Sequence, residues 1–404
     1  MTNEVKKVPE LRFPEFDGEW EEKKIGELSQ KAISGGTPRT SKLEFWNGDI
    51  PWIQSSDLSM NKLYIDSSNK SITEEAIDNS SAKIIPAKSI AIVTRVGVGK
   101  LAFVDFKYST SQDFISLANL TFDTNFSIYS LYNKIKIISK NLQGTSIKGI
   151  TKNELLNTVM LMPLDIVEQH KIGEFFSKLD RQIELEEQKL AKLEEQKKGY
   201  MQQIFSRQFL FENEKGDTDY SWRNFKIKDI FSKIESGNRL PKTNLVEGNI
   251  PYVIAQTTNN GVFMHISEDT LDYHKNKLKL FKKGSITISI DNPEAMFIQE
   301  MDFFTSNVMR VIHNENLKRG SHIFIMESLK KLTQSYNWSV KFSGPIIMDS
   351  TVKFPVYNDN KVNWNVVNKI GDFFNTFEIR INRQSDKIKL LKERKKGFLK
   401  KMFI

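Results

Sequence analysis

The chain has no cysteine, only five histidines and eleven prolines in 404 residues. The absence of cysteine excludes disulfides and thiolate metal sites and fits a reducing cytoplasm. The histidines (His170, His265, His274, His313 and His322) contain no i, i+4 pair, so no metal site is expected. No G-x-S-x-G elbow occurs. RVGVGKL (Arg95–Leu101) is not a phosphate-cradling loop, because its upstream glycine is missing and Leu101 stands where Ser or Thr would follow the lysine. DNPEAM (Asp291–Met296) reads as a turn. No apolar run approaches the roughly 20 residues that span a bilayer, and MTNEVKKVPE lacks the apolar stretch of a signal peptide. With no catalytic constellation in view, a binding role is the better reading.

What is present is a moderately basic chain with formal net charge +9. That excess is compatible with a polyanionic partner without requiring one. The length predicts two to three domains.

The dominant feature is a repeat. KIGEFFSKLDRQI (Lys171–Ile183) and EEQKKGYMQQIF (Glu194–Phe205) recur as KIGDFFNTFEIRI (Lys369–Ile381) and KERKKGFLKKMF (Lys392–Phe403), at a constant offset of 198 residues. Apolar residues in the first copy fall at Ile172, Phe176, Leu179, Ile183, Leu190, Leu193, Tyr200 and Ile204, alternating steps of four and three. This is a coiled-coil seam. The second copy repeats it from Ile370 to Met402. A helix of about 40 residues is a rod roughly 60 Å long.

The globular parts repeat as well. ISGGTPRT (Ile33–Thr40) matches IESGNRLPKT (Ile234–Thr243), and GDIPWIQSSD (Gly48–Asp57) matches GNIPYVIAQT (Gly248–Thr257). PAKSIAIVT matches KKGSITISI, Trp20 matches Trp222, and TSQ (Thr110–Gln112) matches TSN (Thr305–Asn307). The expected order is a globular domain over residues 1–164, a first rod over 165–211, a second globular domain over 212–360 and a second rod over 361–404. The expected fold class is α+β: two similar globular α/β domains joined by two long antiparallel coiled-coil helices in a pseudo-two-fold monomer.

Both rods interrupt the apolar seam at matching positions, Glu186 and Lys197 in the first, Gln384 and Lys395 in the second. Parallel pairing would set Lys197 against Lys395. Antiparallel pairing lets Glu186 meet Lys395 and Lys197 meet Gln384, and such polar layers fix register. Gly199 and Gly397 lie inside the rods, where glycine costs about 1 kcal/mol relative to alanine. Their recurrence points to a close contact with another backbone or subunit.

These residues carry a resemblance. The SGGTP and IPWI elements, the run PLDIVEQHKIGEFFSKLD (Pro163–Asp180), the KKGYMQQIF ending and the duplicated rods resemble the specificity subunit of type I restriction-modification systems over essentially the whole chain. The second copy departs from the pattern, lacking the Glu-Gln pair in NKVNWNVVNKIGDFF and reading KFSGPII where the first copy has TSIKGIT. The resemblance implies two target-recognition domains, each reading one half of a bipartite double-stranded DNA site. The paired rods would set the spacer and dock two methyltransferase subunits, with two motor-nuclease subunits outside them. This chain would carry no cofactor; S-adenosylmethionine, ATP and Mg would belong to the partners, as would catalysis. A cytoplasmic location and no membrane contact follow.

Half-sites on one face of B-DNA lie roughly 34 Å apart, within the reach of two domains held by such rods. Base reading calls for Arg, Asn, Gln, Ser or Thr in the major groove, and positioning for Lys and Arg on phosphates. The polar loops supply Thr37, Arg39, Gln54, Ser55, Ser56, Arg95, Lys100, Gln112 and Lys148 in the first domain. They supply Asn238, Arg239, Lys242, Gln256, Thr257, Asn259, Asn260, Asn292 and Asn307 in the second. For each, the bland alternative is a solvated loop residue or turn former. Gly35, Gly36 and Gly237 are expected to shape loops, and Trp20 and Trp222 to lie in cores. The competing function is a coiled-coil scaffold that organises partner proteins and reads no bases.

Overall fold

The computed structural model describes residues 7–142, 149–214, 216–218 and 220–404. The chain divides into two compact units. One runs up to Gln188 and resumes at Asp386–Ile404; the other is Lys189–Ser385. Each unit therefore contains part of both long helices.

In the first unit the order is β1 (Glu21–Lys24), β2 (Ser29–Ser34), β3 (Trp46–Ile53), β4 (Tyr64–Ile65), β5 (Lys70–Ile72), α1 (Glu74–Asp78), β6 (Ser89–Val93), β7 (Leu101–Val104), β8 (Ser109–Thr110) and β9 (Phe114–Leu120). Helices α2 (Thr124–Leu142) and α3 (Lys152–Asn157), strand β10 (Val159–Met162) and the long helix α4 (Ile166–Phe205) follow. The run SIAIV in β6 is buried along its whole length, as an uninterrupted apolar strand should be. It pairs antiparallel with both β7 and β9. The sheets run β2-β9-β6-β7-β4, β5-β3-β8 and β1-β10.

The core of this unit joins β6 and β9 to Phe126, Ile128 and Tyr129 of α2 and to Ile172 and Phe176 of α4. Leu399, Met402 and Phe403 from the far end of the chain complete it. The Glu-Gln pair before KIG is an internal anchor. Arg12 forks onto Glu168, with Nε–Oε1 and Nη2–Oε2 both at 2.7 Å, and the Trp20 indole donates to the same carboxylate at 3.3 Å. Gln169 donates to the Pro163 carbonyl (2.8 Å) and accepts from the Asp123 amide (3.0 Å).

The second unit contains β11 (Ser221–Lys226), α5 (Ile227–Ile230), β12 (Glu235–Ser236), β13 (Glu247–Val253), β14 (Val262–Ile266), β15 (Ile286–Ser289), β16 (Met296–Ile298), β17 (Phe304–Thr305) and β18 (Met309–Ile312). Helices α6 (Arg319–Thr333) and α7 (Gly344–Asp349), strand β19 (Thr351–Val356) and the long helix α8 (Trp364–Met402) complete it. Its sheets, β12-β18-β15-β16, β14-β13-β17 and β11-β19, repeat those of the first unit strand for strand, except that β4 has no counterpart among the described residues. The anchor is not repeated. Val366 and Val367, fully buried, stand in place of Glu168 and Gln169, and the buried indole N–H of Trp222 has no partner among the described residues.

Within each unit the long helices pair antiparallel, as the seam predicts. In the first, Phe176 meets Phe403 (5.6 Å between centroids) and Phe175 meets Phe398 (5.1 Å). In the second, Tyr200 meets both Phe373 (5.2 Å) and Phe377 (5.6 Å). The expected polar partners are corrected. Lys395 bonds Asp180 (2.5 Å) rather than Glu186. Lys197 bonds Glu378 rather than Gln384, and also Glu327 of α6 at 3.0 Å. Both true partners lie six residues before the expected ones, a displacement of about 9 Å along a helix. The aromatic contacts at the helix ends set that register. Glu186 is instead bonded by Lys387 at 2.9 Å.

Gly199 and Gly397 make no close backbone contact within this chain. A Cβ at Gly199 or Gly397 would meet nothing within 4 Å, whereas at Gly371 it would fall 1.7 Å from the Gly320 carbonyl and at Gly173 2.5 Å from the Phe126 amide. The close backbone approaches of the rods lie at their starts, where α4 meets α2 and α8 meets α6.

Burial pulls the Lys197 ammonium down, but Glu327 and Glu378 outweigh it and leave the group raised. Burial likewise pushes the Glu378 carboxyl up, and Lys197 outweighs it to leave the group lowered. Their contribution to stability is therefore full between the ordinary glutamate and lysine ranges. It is lost as pH falls through the lowered Glu378 value and as pH rises through the raised Lys197 value. Lys197→Met leaves Glu327, whose side chain is 2% exposed, with only a 3.5 Å ion pair to Lys330, and is expected to cost about 3 kcal/mol. Lys395→Met is expected to cost less, because Asp180 keeps its bond from the Tyr129 hydroxyl (2.7 Å) and is 26% exposed. Chemical denaturation of both variants compares them; equal midpoints would contradict the assignment.

Candidate nucleic-acid interface

In the first unit the loops leaving the C-terminal ends of β2, β3, β6 and β8 converge. Gly35 and Gly36 donate to the Phe114 (3.2 Å) and Thr110 (2.9 Å) carbonyls, and Ser111 donates to that of Ile53 (3.0 Å). A Cβ at Gly35 would lie 2.0 Å from the Ser111 carbonyl, and one at Gly36 2.0 Å from that of Ser81. These glycines shape the cluster, as expected. The indoles of β3 hold the loop beyond them: Trp52 donates to the Gly36 carbonyl (3.1 Å) and Trp46 to that of Arg39 (3.3 Å).

The candidate residues divide by what their side chains do. Ser55 donates to the Val96 carbonyl (2.7 Å), and Lys100 donates to the Ser55 carbonyl (2.8 Å). These two bonds tie the QSSD turn to the RVGVGK turn. Gln54 opens that turn, its backbone N–H donating to Asp57 (2.8 Å). Arg39, Ser56, Arg95 and Gln112 are exposed and Thr37 half-buried. None of the five has a side-chain hydrogen bond or ion pair among the described residues. Lys148 lies outside the described residues. Four candidates thus stand open, and Thr37 partly so, on a loop cluster whose frame is fixed by the others.

The second unit builds the same cluster from the loops after β12, β13, β15 and β17. A Cβ at Gly237 would fall 1.8 Å from the Thr305 carbonyl, and Asn238 donates its amide N–H to that carbonyl (3.1 Å). The Asn238 side chain is an internal brace, donating to Asp272 (2.9 Å) and accepting from the Lys279 amide (3.0 Å). Gln256 donates to the Val262 carbonyl (2.8 Å), as does Asn259 (3.1 Å). The Asn292 side chain accepts from the Glu294 amide (3.0 Å). The Asn260 carbonyl accepts from Gln299 (3.0 Å), and Asn259 and Asn260 both hold φ of 50°, a conformation asparagine tolerates. Lys242, Thr257 and Asn307 are exposed, with no side-chain bond among the described residues. Arg239 is exposed and lies over the Tyr273 ring, 4.9 Å from its centroid.

Trp46, Trp52 and Tyr273 are rim residues that no sequence motif marks as such. The IPWI tryptophan was visible as a motif residue but not as a loop brace. Tyr273 lies in HKNKLKLFKK's approach, a lysine-rich run that was legible and unused. Open Arg and Gln side chains on a rigid rim can form the bidentate contacts that distinguish guanine and adenine. Among the described residues no group of three or more His, Asp or Glu could hold a metal, and no helix is long and apolar enough to cross a membrane.

The family described as type I restriction modification DNA specificity domain matches this chain twice, over residues 17–195 and 220–387. The chain is similar to the type I restriction enzyme MjaIX specificity subunit of Methanocaldococcus jannaschii, with 28% identity over 361 residues, covering 82% of each chain. It is 35% identical over 181 residues to the EcoR124I/EcoR124II specificity subunit of Escherichia coli, covering 42% of this chain and 43% of that protein. The fold is that of the S subunit of a type I restriction-modification system from M. genitalium, with TM-score 0.62, 16% identity, and coverage of 98% of this chain and 99% of that one.

The division between braces and open side chains predicts different stability effects. Lys100→Met is expected to lower the melting temperature by removing the donor of a half-buried tie, a cost of about 1 kcal/mol. Arg39→Ala is expected to change stability by no more than about 0.5 kcal/mol. Differential scanning calorimetry of the two variants measures both.

Proposed function

The chain belongs to the type I restriction-modification DNA specificity family, and on that premise we propose how its two loop clusters divide the work. It is a specificity subunit, a non-catalytic DNA-recognition component with two target-recognition domains. In our reading each cluster enters the major groove at one half of a bipartite site. Arg39, Arg95 and Gln112 read bases in the first half, and Arg239, Thr257 and Asn307 in the second. The observation that carries this is the repetition of one loop cluster on two matching sets of sheets, with exposed, unbonded polar side chains at corresponding points on each rim.

The paired long helices set the distance between the half-sites and dock two methyltransferase subunits, with two motor-nuclease subunits beyond them. S-adenosylmethionine, ATP and Mg then serve those partners, and the assembly works in the cytoplasm. A second protein of similar fold belongs to a type I R-M system that undergoes complex assembly and conformational transition, which is consistent with a multi-subunit setting here.

Methylation mapping tests the reading. The chain is expressed with its cognate methyltransferase subunit in a methylation-free host, and N6-methyladenine is mapped by sequencing. A split motif with a fixed gap is expected. Arg39→Ala should relax one half of it and Arg239→Ala the other, each with a discrimination loss of about 1–3 kcal/mol at the affected base. A methyltransferase that is active beside a sibling specificity chain but yields no new motif with this one would establish the scaffold instead.

A further inference from the structure

The second unit carries five lysines between residues 275 and 283, at Lys275, Lys277, Lys279, Lys282 and Lys283. Between β14 and the bridge that pairs Phe281 with Phe303, the chain makes a small hairpin closed by a bridge between Leu271 and Lys277. Asp272 folds its tip. The carboxylate accepts from the His274 (2.8 Å) and Asn276 (2.9 Å) amides and from the Asn238 side chain (2.9 Å). Leu278 packs inward on the cluster of Tyr252, Ile266 and Phe304, while Lys277 and Lys279 on either side of it are exposed.

Besides the Asn238–Asp272 bond, this hairpin is fastened to the candidate reading loop by several contacts. The Tyr273 amide donates to the Arg239 carbonyl (2.9 Å), and the Arg239 guanidinium lies over the Tyr273 ring. The Lys279 amide donates to the Asn238 side chain (3.0 Å). Asn244 donates to the Leu271 and Asp272 carbonyls, both at 3.3 Å. Lys279 is neutralised by Glu235 and Lys282 by Asp302 (3.3 Å). Lys275 and Lys277 have no ion-pair partner among the described residues.

Among the described residues of the first unit, the corresponding stretch has nothing equivalent. It runs from β5 to the bridge that pairs Ile85 with Tyr108. It contains one lysine, Lys83, and the acidic side chains Glu74, Glu75 and Asp78.

We propose that the hairpin around residues 271–279 is a phosphate-gripping arm of the second half alone, in which Lys275 and Lys277 contact the backbone of the duplex beside the half-site. The proposal rests on the reading of the loop clusters as DNA-recognition surfaces. Two unpaired lysines on a hairpin whose backbone is tied to the Arg239 loop meet the requirement for phosphate contacts that fix orientation without reading sequence. The stack of Arg239 on Tyr273 links the arm to the base-reading loop, so the grip and the reading side chain enter together.

The test uses the chain in complex with its methyltransferase partner and a duplex carrying the mapped site. Affinity is measured across salt concentrations. Each phosphate contact contributes about 0.9 to the slope of log K against log salt. Lys275→Gln/Lys277→Gln is therefore expected to flatten the slope by about 1.8, so that the native complex loses about 12-fold more affinity than the variant between roughly 50 and 200 mM salt. The methylated motif stays unchanged, and Lys275→Arg/Lys277→Arg keeps the native slope. Acetylation footprinting of the unmutated complex, which needs no variant to fold, should show both lysines protected by the duplex. An unaltered slope, or protection by the methyltransferase without DNA, overturns the arm and leaves the subunit's function standing. If the unmutated complex bound no duplex in a salt-dependent way, the functional reading itself would fail.

Discussion

A lysine on each long helix sits in the helix seam, and its need for a carboxylate constrains the rest of each unit. Lys395 takes Asp180 and lies over the Tyr129 ring at 5.3 Å; Lys197 takes Glu378 and Glu327. A charge that buried is tolerated only when paired. The helices therefore cannot slide without stranding it. Because Tyr129 belongs to α2 and Glu327 to α6, the same requirement fixes the helix that backs each sheet. The Tyr129 hydroxyl, pushed upward by burial and by the charge of Asp180, stays a donor and completes the first arrangement with a neutral group. Glu327 occupies the matching position, 198 residues on, and completes the second with a charged one.

The two units have diverged in how they tie down their beginnings. In the first, Glu168 gathers Arg12 and Trp20 at the start of α4. In the second, valines fill that place and the Trp222 indole N–H is left without an acceptor among the described residues. The second core compensates with apolar contact: Phe205, Phe324 and Tyr220 all lie against Trp222 within 6.4 Å between ring centroids. A hydrogen-bonded anchor has been exchanged for an aromatic one, while the strand pairings around it are preserved.

The sequence made the helices, their antiparallel sense and the repeated sheets legible, because apolar period and recurring motifs are local signals. Register was not legible. Glu186 and Gln384 were sensible partners by seam position, but aromatic packing at the helix ends displaced the pairing, and Asp180 and Glu378 flank the seam rather than occupy it. Helices α2 and α6 also escaped notice. In α2 every residue from Phe126 to Tyr132 is buried, so its polar face is confined to the later turns. In the candidate site, residue type identified the loops correctly as polar rims. It could not separate Arg39, which stands open, from Lys100, Asn238 or Gln256, which hold the loops together, because that distinction depends on which carbonyl lies within reach.

That distinction separates what holds each frame from what the frame presents. Side chains that brace a loop are bonded to backbone atoms, and replacing them loosens the cluster. Side chains that stand open bond nothing in the protein, and replacing them leaves the cluster intact while changing what it offers to a base edge. The close approaches at Gly35 and Gly237 fix where each rim begins, and Trp52 and Asp272 fix how it continues. Arg39 or Asn307 can then be exchanged at little cost to the fold, whereas a change at a brace reshapes the rim only by first altering stability.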